Sequence, residues 1–402
     1  MNSLYNDWQE REKNSIMSTY GRYPLAVARA EGNRLYAPDG KEYVDLLAGI
    51  AVNSLGHCRP ELIQAMVEQA QNLDHVSNLF LQEPQIVLAE KLLSTCDAGK
   101  VFFCNSGAEA NEGAIKLARR YMRKVRGVDA HEIITLGGSF HGRTLATLTA
   151  TGQEGKIKDG FGPLPSGFRT IPFGDVCALR ESITDQTAAV MIEMIQGEGG
   201  VRPLPQEFVD ALLALREEKG FLLIVDEVQT GLCRTGRFWA HQRYNVRPDI
   251  FTTAKALANG LPMGAVLATD DVAKGFEPGS HATTFGGGPI VSAVASKVLD
   301  IMLDEKLAER AEEVGKAARA ALRDVVIEHP DKILNVRGVG LMIGIELAFP
   351  GQDVWRTLLD KGFVLNLTQG SVLRLLPPLT IALQDLQNFA AALSEILAGV
   401  ER

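Results

Sequence analysis

The chain has 402 residues, a formal net charge of −8, 46% hydrophobic and 22% charged residues, an ordinary balance for a water-soluble globular protein. Acidic and basic residues are interleaved, so no basic stripe is available to track a phosphate backbone and nucleic acid is excluded as an expected partner. Single cores stop growing at roughly 250 to 300 residues, so the length calls for two domains.

The first fourteen residues are polar and lack the apolar core of a secretory signal. The longest apolar runs, such as 188–192 and 221–225, are strand-length, far short of the roughly 20 residues of a membrane helix. A soluble, cytoplasmic protein without membrane association is expected. Cys58, Cys96, Cys104, Cys177 and Cys233 are odd in number and form no C-x-x-C pair, which fits reduced thiols rather than a disulfide framework. The seven histidines never fall at metal-ligand spacing, so no metal site is expected.

Between about 100 and 270, short apolar runs alternate with helical patterns, the signature of a mostly parallel sheet covered by helices. Strands are expected at 100–104, 132–136, 188–193, 221–225, 250–253 and 264–268. In such sheets ligands bind beyond the carboxyl ends of the strands, so the loops after these strands are where chemistry should gather. The first leads into a helix through Ser106 and Glu109, an S-x-x-E capping box, with Gly107 between them. A helix start offers free N–H groups to an anion, although the same pattern also serves simply to begin a helix. After 132–136 come Phe140, suited to stack on a planar ring, and Arg143, suited to enter the same cleft. Glu193 closes an apolar strand and needs a partner, which an arginine in the cleft could supply. A helix at 207–219, with Phe208, Leu212 and Leu215 on one face and Gly220 as its stop, is scaffold.

Two strand ends carry the strongest signal. The run 222–226 ends on Asp226, and the run 250–253 ends two residues before Lys255 in a small-residue turn. A carboxylate and an amine delivered to one pocket suit pyridoxal phosphate: the lysine forms a Schiff base with the aldehyde, while the carboxylate keeps the pyridine nitrogen protonated. That chemistry also calls for a phosphate site, which favours the anion-binding reading of Gly107.

After Pro289 a helical region reaches about 326. Short strands follow at 340–347, 363–367 and 372–375, and an amphipathic helix at 383–397 carries Leu386, Phe389, Leu393 and Ile396 on one face. This is a smaller α+β domain. The expected division is an N-terminal segment, 1–60, packing with the small domain, a large domain, 61–288, and the small domain, 289–402. Arg374 lies in an apolar stretch where an unpaired charge is costly, and Glu198 is its candidate movable partner. The glycines at 338, 340 and 344 enter a strand instead of linking a strand to a helix, so a dinucleotide site, and with it a nicotinamide dehydrogenase, has little support.

The residues 106–108, 140–143, 226–229, Lys255 and Thr284, together with 19–24 and 47–57, resemble the class III (ornithine-type) aminotransferases of the fold-type I pyridoxal phosphate enzymes, from about 20 to 397. The resemblance implies an α/β large domain with a mostly parallel seven-stranded-type sheet. It implies that Lys255 binds the cofactor and moves the proton, Asp226 faces the pyridine nitrogen, Gln229 meets the phenolic oxygen, and Phe140 and Val228 sandwich the ring. Ser106, Gly107 and Ala108 hold the phosphate, Glu227 joins the cofactor contacts, and Thr284 reaches the phosphate of a neighbouring subunit, giving a homodimer with shared active sites. Arg143 and Thr283 contact an acylated ornithine, Glu193 lies among the substrate contacts, and Arg374 receives the α-carboxylate of glutamate when Glu198 swings away. The implied reaction transfers the terminal amine of N2-acetylornithine to 2-oxoglutarate; ornithine, succinylornithine, 4-aminobutyrate and acyl-lysine-type donors are the alternatives. Donor choice rests on the pocket around Arg143, Asn78 and Thr283. A silent cofactor-binding regulator would need neither the proton shuttle nor Arg374. Ala108, Cys233 and Gly288 depart from the usual Thr, Gly and Asn.

Overall fold

Residues 3–400 are described by the computed structural model. Seven strands form the central sheet, in the order Lys100–Cys104, Gly264–Ala268, Ile250–Thr253, Leu222–Asp226, Thr187–Ile192, Glu132–Leu136, Phe168–Ile171. Only Gly264–Ala268 runs antiparallel to its neighbours. Thr187–Ile192, Leu222–Asp226, Ile250–Thr253 and Gly264–Ala268 are buried at every position, which is why they read as continuous apolar runs rather than alternating ones. Two strands sit one residue from expectation, and the shift places Glu193 just beyond its strand, in the loop. Phe168–Ile171, which no apolar run announces, lies at the sheet edge with its two central residues exposed.

The helix Gly107–Lys124 turns Ala110, Ala114, Leu117, Ala118 and Tyr121 inward and packs on Ile250–Thr253 and Gly264–Ala268. Gln206–Lys219 ends at Gly220, whose φ of 74° is the left-handed stop that glycine supplies. Past residue 288 the single helical region resolves into Pro289–Asp304 and Leu307–Glu328, separated at Lys306 with φ 51°.

A second sheet joins Ile333–Val339, Met342–Leu347, Val372–Leu375 and Asn366–Thr368, all antiparallel. Gly340 turns its first hairpin with φ 56°, and a Cβ there would lie 2.5 Å from the Arg234 carbonyl oxygen. The third sheet is made of distant parts of the chain: Arg29–Glu31, Arg34–Tyr36 and Glu42–Asp45 are completed by Phe363–Val364, parallel, with Phe363 against Val44. Asp385 at the start of Leu383–Ala398 clasps Arg34 Nη2 at 2.8 Å and Asn33 Nδ2 at 2.8 Å, tying that helix to the same strands. The outer limits of the expected divisions, residues 1–2 and 401–402, lie outside the described residues. Among the described residues no helix is long and apolar enough to cross a membrane, no metal-ligating cluster forms, and all five cysteines are free.

Candidate active site

The carboxyl ends of the strands open into a cavity of about 400 Å³. Its floor begins where Lys100–Cys104 passes into the helix at residue 107. Ser106, in extended backbone, accepts the Glu109 N–H on its Oγ at 3.1 Å. The returning bond lands one residue earlier than a capping box requires: Glu109 Oε2 accepts from Asn105 N and Nδ2, each at 2.8 Å. Gly107 and Ala108, in the first helical turn, have N–H groups with no intrahelical carbonyl to meet, and both residues line the cavity. A Cβ on Gly107 would lie 2.7 Å from Val228 Cγ1, so only glycine allows this approach.

Asp226 ends its strand 4% exposed, and its carboxylate is held from three directions. Oδ2 accepts from Asn111 Nδ2 at 2.7 Å and meets His141 Nδ1 at 2.8 Å; Oδ1 accepts from Val228 N at 3.0 Å. Asn111 is itself fixed, accepting from Thr252 Oγ1 at 2.7 Å and donating to the His141 carbonyl at 2.7 Å. Lys255 follows Ile250–Thr253 with φ 37°, opening a short 3₁₀ turn. Burial pulls its pKa below the usual lysine value; Arg374 adds to that pull, and Glu198, Asp226 and Glu193 oppose it. A buried amine with a depressed pKa is more readily the neutral nucleophile.

At the far end, Arg374 projects from Val372–Leu375 fully buried. Its Nη1 donates to Glu198 Oε1 at 2.7 Å and to Gln229 Oε1 at 3.4 Å, while Nε and Nη2 have no partner among the described residues. Burial would raise the Glu198 pKa, but Arg374 and Lys255 hold it below the usual carboxylate range. Glu193 has no arginine partner among the described residues. Its Oε2 accepts from Phe140 N at 3.0 Å and its Oε1 from Gly197 N at 3.2 Å, so the expectation of a cleft arginine is corrected: two backbone donors satisfy it. Burial first, and the Asp226 charge after the opposing effect of His141, leave its pKa raised to about 7.

Ser106, Gly107, Ala108, Phe140, Arg143, Glu193, Glu198, Asp226, Val228, Gln229 and Lys255 therefore line one cavity, and Arg374 backs it through Glu198 and Gln229. Glu227 does not: its carboxylate accepts from His241 N at 2.8 Å and from Thr230 Oγ1 at 2.5 Å, because alternate side chains after the strand point to opposite sides. Thr283 and Thr284 also lie elsewhere within this chain, lining a separate surface cavity of about 680 Å³ with Asn78. Thr283 reaches the lining of the first cavity through its Oγ1, which accepts from Asn105 Nδ2 at 3.1 Å. Sequence reasoning passes over Asn111, His141 and Val52. Asn111 had a legible signal, a polar residue on the inward face of an otherwise apolar helix stripe; His141 lies inside a motif already singled out, and Val52 carried none.

The whole is shaped for a flat ring with an anionic tail: Phe140 and Val228 flank the space, a glycine-relieved helix start lies at one end and a fixed carboxylate at another. The matching family model is "Aminotransferase class-III", over residues 16–397. The chain is 45% identical to the acetylornithine aminotransferase of Methanocaldococcus jannaschii, covering 98% of this chain and 99% of that one. Among solved structures, the ornithine aminotransferase of Toxoplasma gondii ME49 superposes with a TM-score of 0.94 at 33% identity, covering 99% and 96%. The acetylornithine aminotransferase of Elizabethkingia anophelis does so with a TM-score of 0.89 at 34% identity, covering 98% and 99%.

Proposed function

The chain belongs to the class III aminotransferases, and on that premise we propose that it moves the terminal amine of N2-acetylornithine onto 2-oxoglutarate, giving N-acetylglutamate 5-semialdehyde and glutamate, in arginine biosynthesis. Enzymes of this family use pyridoxal 5′-phosphate, which when bound supplies an electrophilic carbonyl and a ring that withdraws electrons from the substrate carbon. The Gly107 and Ala108 N–H groups, with Ser106 beside them, would receive its phosphate; Phe140 and Val228 would hold the ring; Gln229 would meet its phenolic oxygen. Asp226 would keep a proton on the ring nitrogen. Lys255 Nζ, its pKa lowered by burial, would be the amine that holds the cofactor's carbonyl carbon and the group that carries the proton at the reacting carbon.

The observation that carries a two-substrate reaction is the Arg374–Glu198 pair. A glutamate α-carboxylate needs a cation, whereas the terminal amine carbon of acetylornithine carries none of that charge. Arg374, with Nε and Nη2 unspent and Nη1 on Glu198, is a carboxylate receptor that Glu198 can mask or release. Arg143 lies over the Phe140 ring at 5.6 Å with an exposed side chain, placed for the distal carboxylate of an acylated donor. Glu193, Glu198 and Asp226, the acids lining the cavity, are all engaged, so none offers itself to the free α-ammonium of ornithine. Leu79, Leu81 and Phe285, 88%, 94% and 67% exposed beside the cavity of Thr283 and Thr284, form the face a second copy would cover. The enzyme is a cytoplasmic homodimer in this reading, with Thr284 serving the neighbour's phosphate and Thr283 the donor.

Single-turnover mixing of the cofactor-loaded enzyme with acetylornithine, ornithine, succinylornithine and 4-aminobutyrate, followed by cofactor absorbance, tests the donor. Acetylornithine should react fastest; an equal or faster ornithine reaction overturns the assignment. Sedimentation of wild type against Leu81→Asp tests the dimer.

A further inference from the structure

Arg234 is 1% exposed, and among the described residues it has no carboxylate within ion-pair reach. Instead it gathers neutral acceptors from three segments: Nη1 donates to the Pro377 carbonyl at 2.6 Å and the Leu341 carbonyl at 3.2 Å, and Nη2 to Ser54 Oγ at 3.1 Å. Burial without a counter-charge pulls its pKa down to about 9. A charge kept in so costly a place implies that its geometry matters.

The strand register gives the reason. Ile343 pairs with Leu375 and Gly344 with Arg374, so two more rungs of the antiparallel ladder would set Leu341 against Pro377. Pro377 and Pro378 carry no N–H, and the ladder cannot continue. Two buried carbonyls would be orphaned there, and one guanidinium nitrogen takes both. The Arg234 carbonyl also accepts from Leu341 N at 3.0 Å, so Leu341 is bracketed from both sides. Arg374 lies three residues back along the chain, in the strand that ends at Leu375, roughly 10 Å away at strand rise. The contacts form a closed circuit: Gln229 to Arg234 along the loop, Arg234 to Pro377 by hydrogen bond, Pro377 to Arg374 along the chain, Arg374 to Gln229 at 3.4 Å. Ser54, on the third arm, follows Val52 of the cavity wall by two residues.

We propose that Arg234 is a positioning residue for the carboxylate-receiving half of the reaction, fixing the open end of the strand so that Arg374 stays in register over the cavity. This rests on the reading of Arg374 as the carboxylate receptor. The Glu198-masked half, which asks nothing of Arg374, is indifferent to it.

Arg234→Met and Arg234→Lys, loaded with cofactor, are to be compared with wild type for glutarate affinity by calorimetric titration and for single-turnover rates with glutamate and with acetylornithine. In Arg234→Met, glutarate affinity and the glutamate rate should fall on the order of 10- to 100-fold, the scale of a misplacement near 1 Å, with the acetylornithine rate retained. Arg234→Lys should recover part of the loss, since an ammonium can still serve both carbonyls. Equal loss in both half-reactions, or unchanged glutarate affinity, overturns the proposal. If Arg234→Met does not fold, Ser54→Ala decides: it removes one arm, and a glutarate affinity equal to wild type counts against the proposal. Glutarate needs only the carboxylate receptor, so a wild type that binds glutarate but ignores acetylornithine would refute the donor assignment and leave the role of Arg234 standing.

Discussion

Asp226 and Arg374 are both buried charges near Lys255, yet they are held in opposite ways. Three donors, one from a helix and two from separate loops, fix the Asp226 carboxylate, and the helical one, Asn111, is itself held by Thr252 and the His141 carbonyl. Among the described residues Arg374 has a single short bond, to Glu198, and two nitrogens without a partner. A group that must meet the same ring atom in every turnover is preorganised; a group that must be available to one substrate and hidden from the other is left under-satisfied, because spare donors are what a second carboxylate can claim.

The sharpest way to break the comparison is at the residue both ends share. Lys255→Ala should retain cofactor, through the helix start and Asp226, while losing turnover by several orders of magnitude; cofactor absorbance and single-turnover rates measure the two separately. Borohydride reduction should place the adduct on the Lys255 peptide of the wild type, and an adduct on any other lysine refutes the assignment.

Asp226→Asn should come next, slowing both half-reactions on the order of 10²- to 10³-fold, because a neutral amide cannot keep the ring nitrogen protonated. Asn111→Ala should act in the same sense but less, about 1 to 3 kcal/mol for a buried carboxylate left one donor short. Equal slowing of both halves is the mark of the fixed end.

The movable end should divide them. Arg374→Ala should damage chiefly the glutamate and 2-oxoglutarate half, and Glu198→Ala should favour glutamate over acetylornithine, each by about 2 to 5 kcal/mol in the single-turnover ratio. Ratios left unchanged by both variants would make the pair a fixed bridge.

The smallest effect is on stability against pH. Glu193 is raised to about 7 from an ordinary 4.5, so the folded protein holds its proton more tightly than the unfolded chain. Its contribution is fully present below pH 4.5 and is lost as pH rises toward 7. Denaturant melts of wild type and Glu193→Gln from pH 4.5 to 8 should therefore converge in slope once this contribution is removed; a stability difference independent of pH would show that Glu193 ionises like an exposed acid.

The sheet was legible because its strands are buried on both faces and read as unbroken apolar runs, and four of the six expected strands have the anticipated limits. Strands 29–45 were not, since they are short, half-exposed and find their fourth member more than 300 residues away. At the site, Lys255, Asp226 and the helix start could be read from position at strand ends. Asn111 and His141 could not be assigned roles, because what they do depends on which buried carboxylate the fold brings to them. The Glu227 side chain lies outside the cavity because neighbours along an extended backbone take opposite sides, so adjacency to Asp226 in sequence carries its carboxylate away.

Phe363 beside Val44 also sets a timetable. During synthesis the segment 100–268 emerges with all seven strands of its sheet in hand and can collapse while the ribosome is still adding residues. Strands 29–45 wait for Phe363–Val364, and the Asp45 region cannot be sealed until nine-tenths of the chain has been made. Through that interval the N-terminal strands present an open edge, the kind of surface that pairs with the wrong neighbour. They are three, three and four residues long and carry Arg29, Glu31, Arg34 and Glu42, which is how a chain protects an edge it cannot yet close.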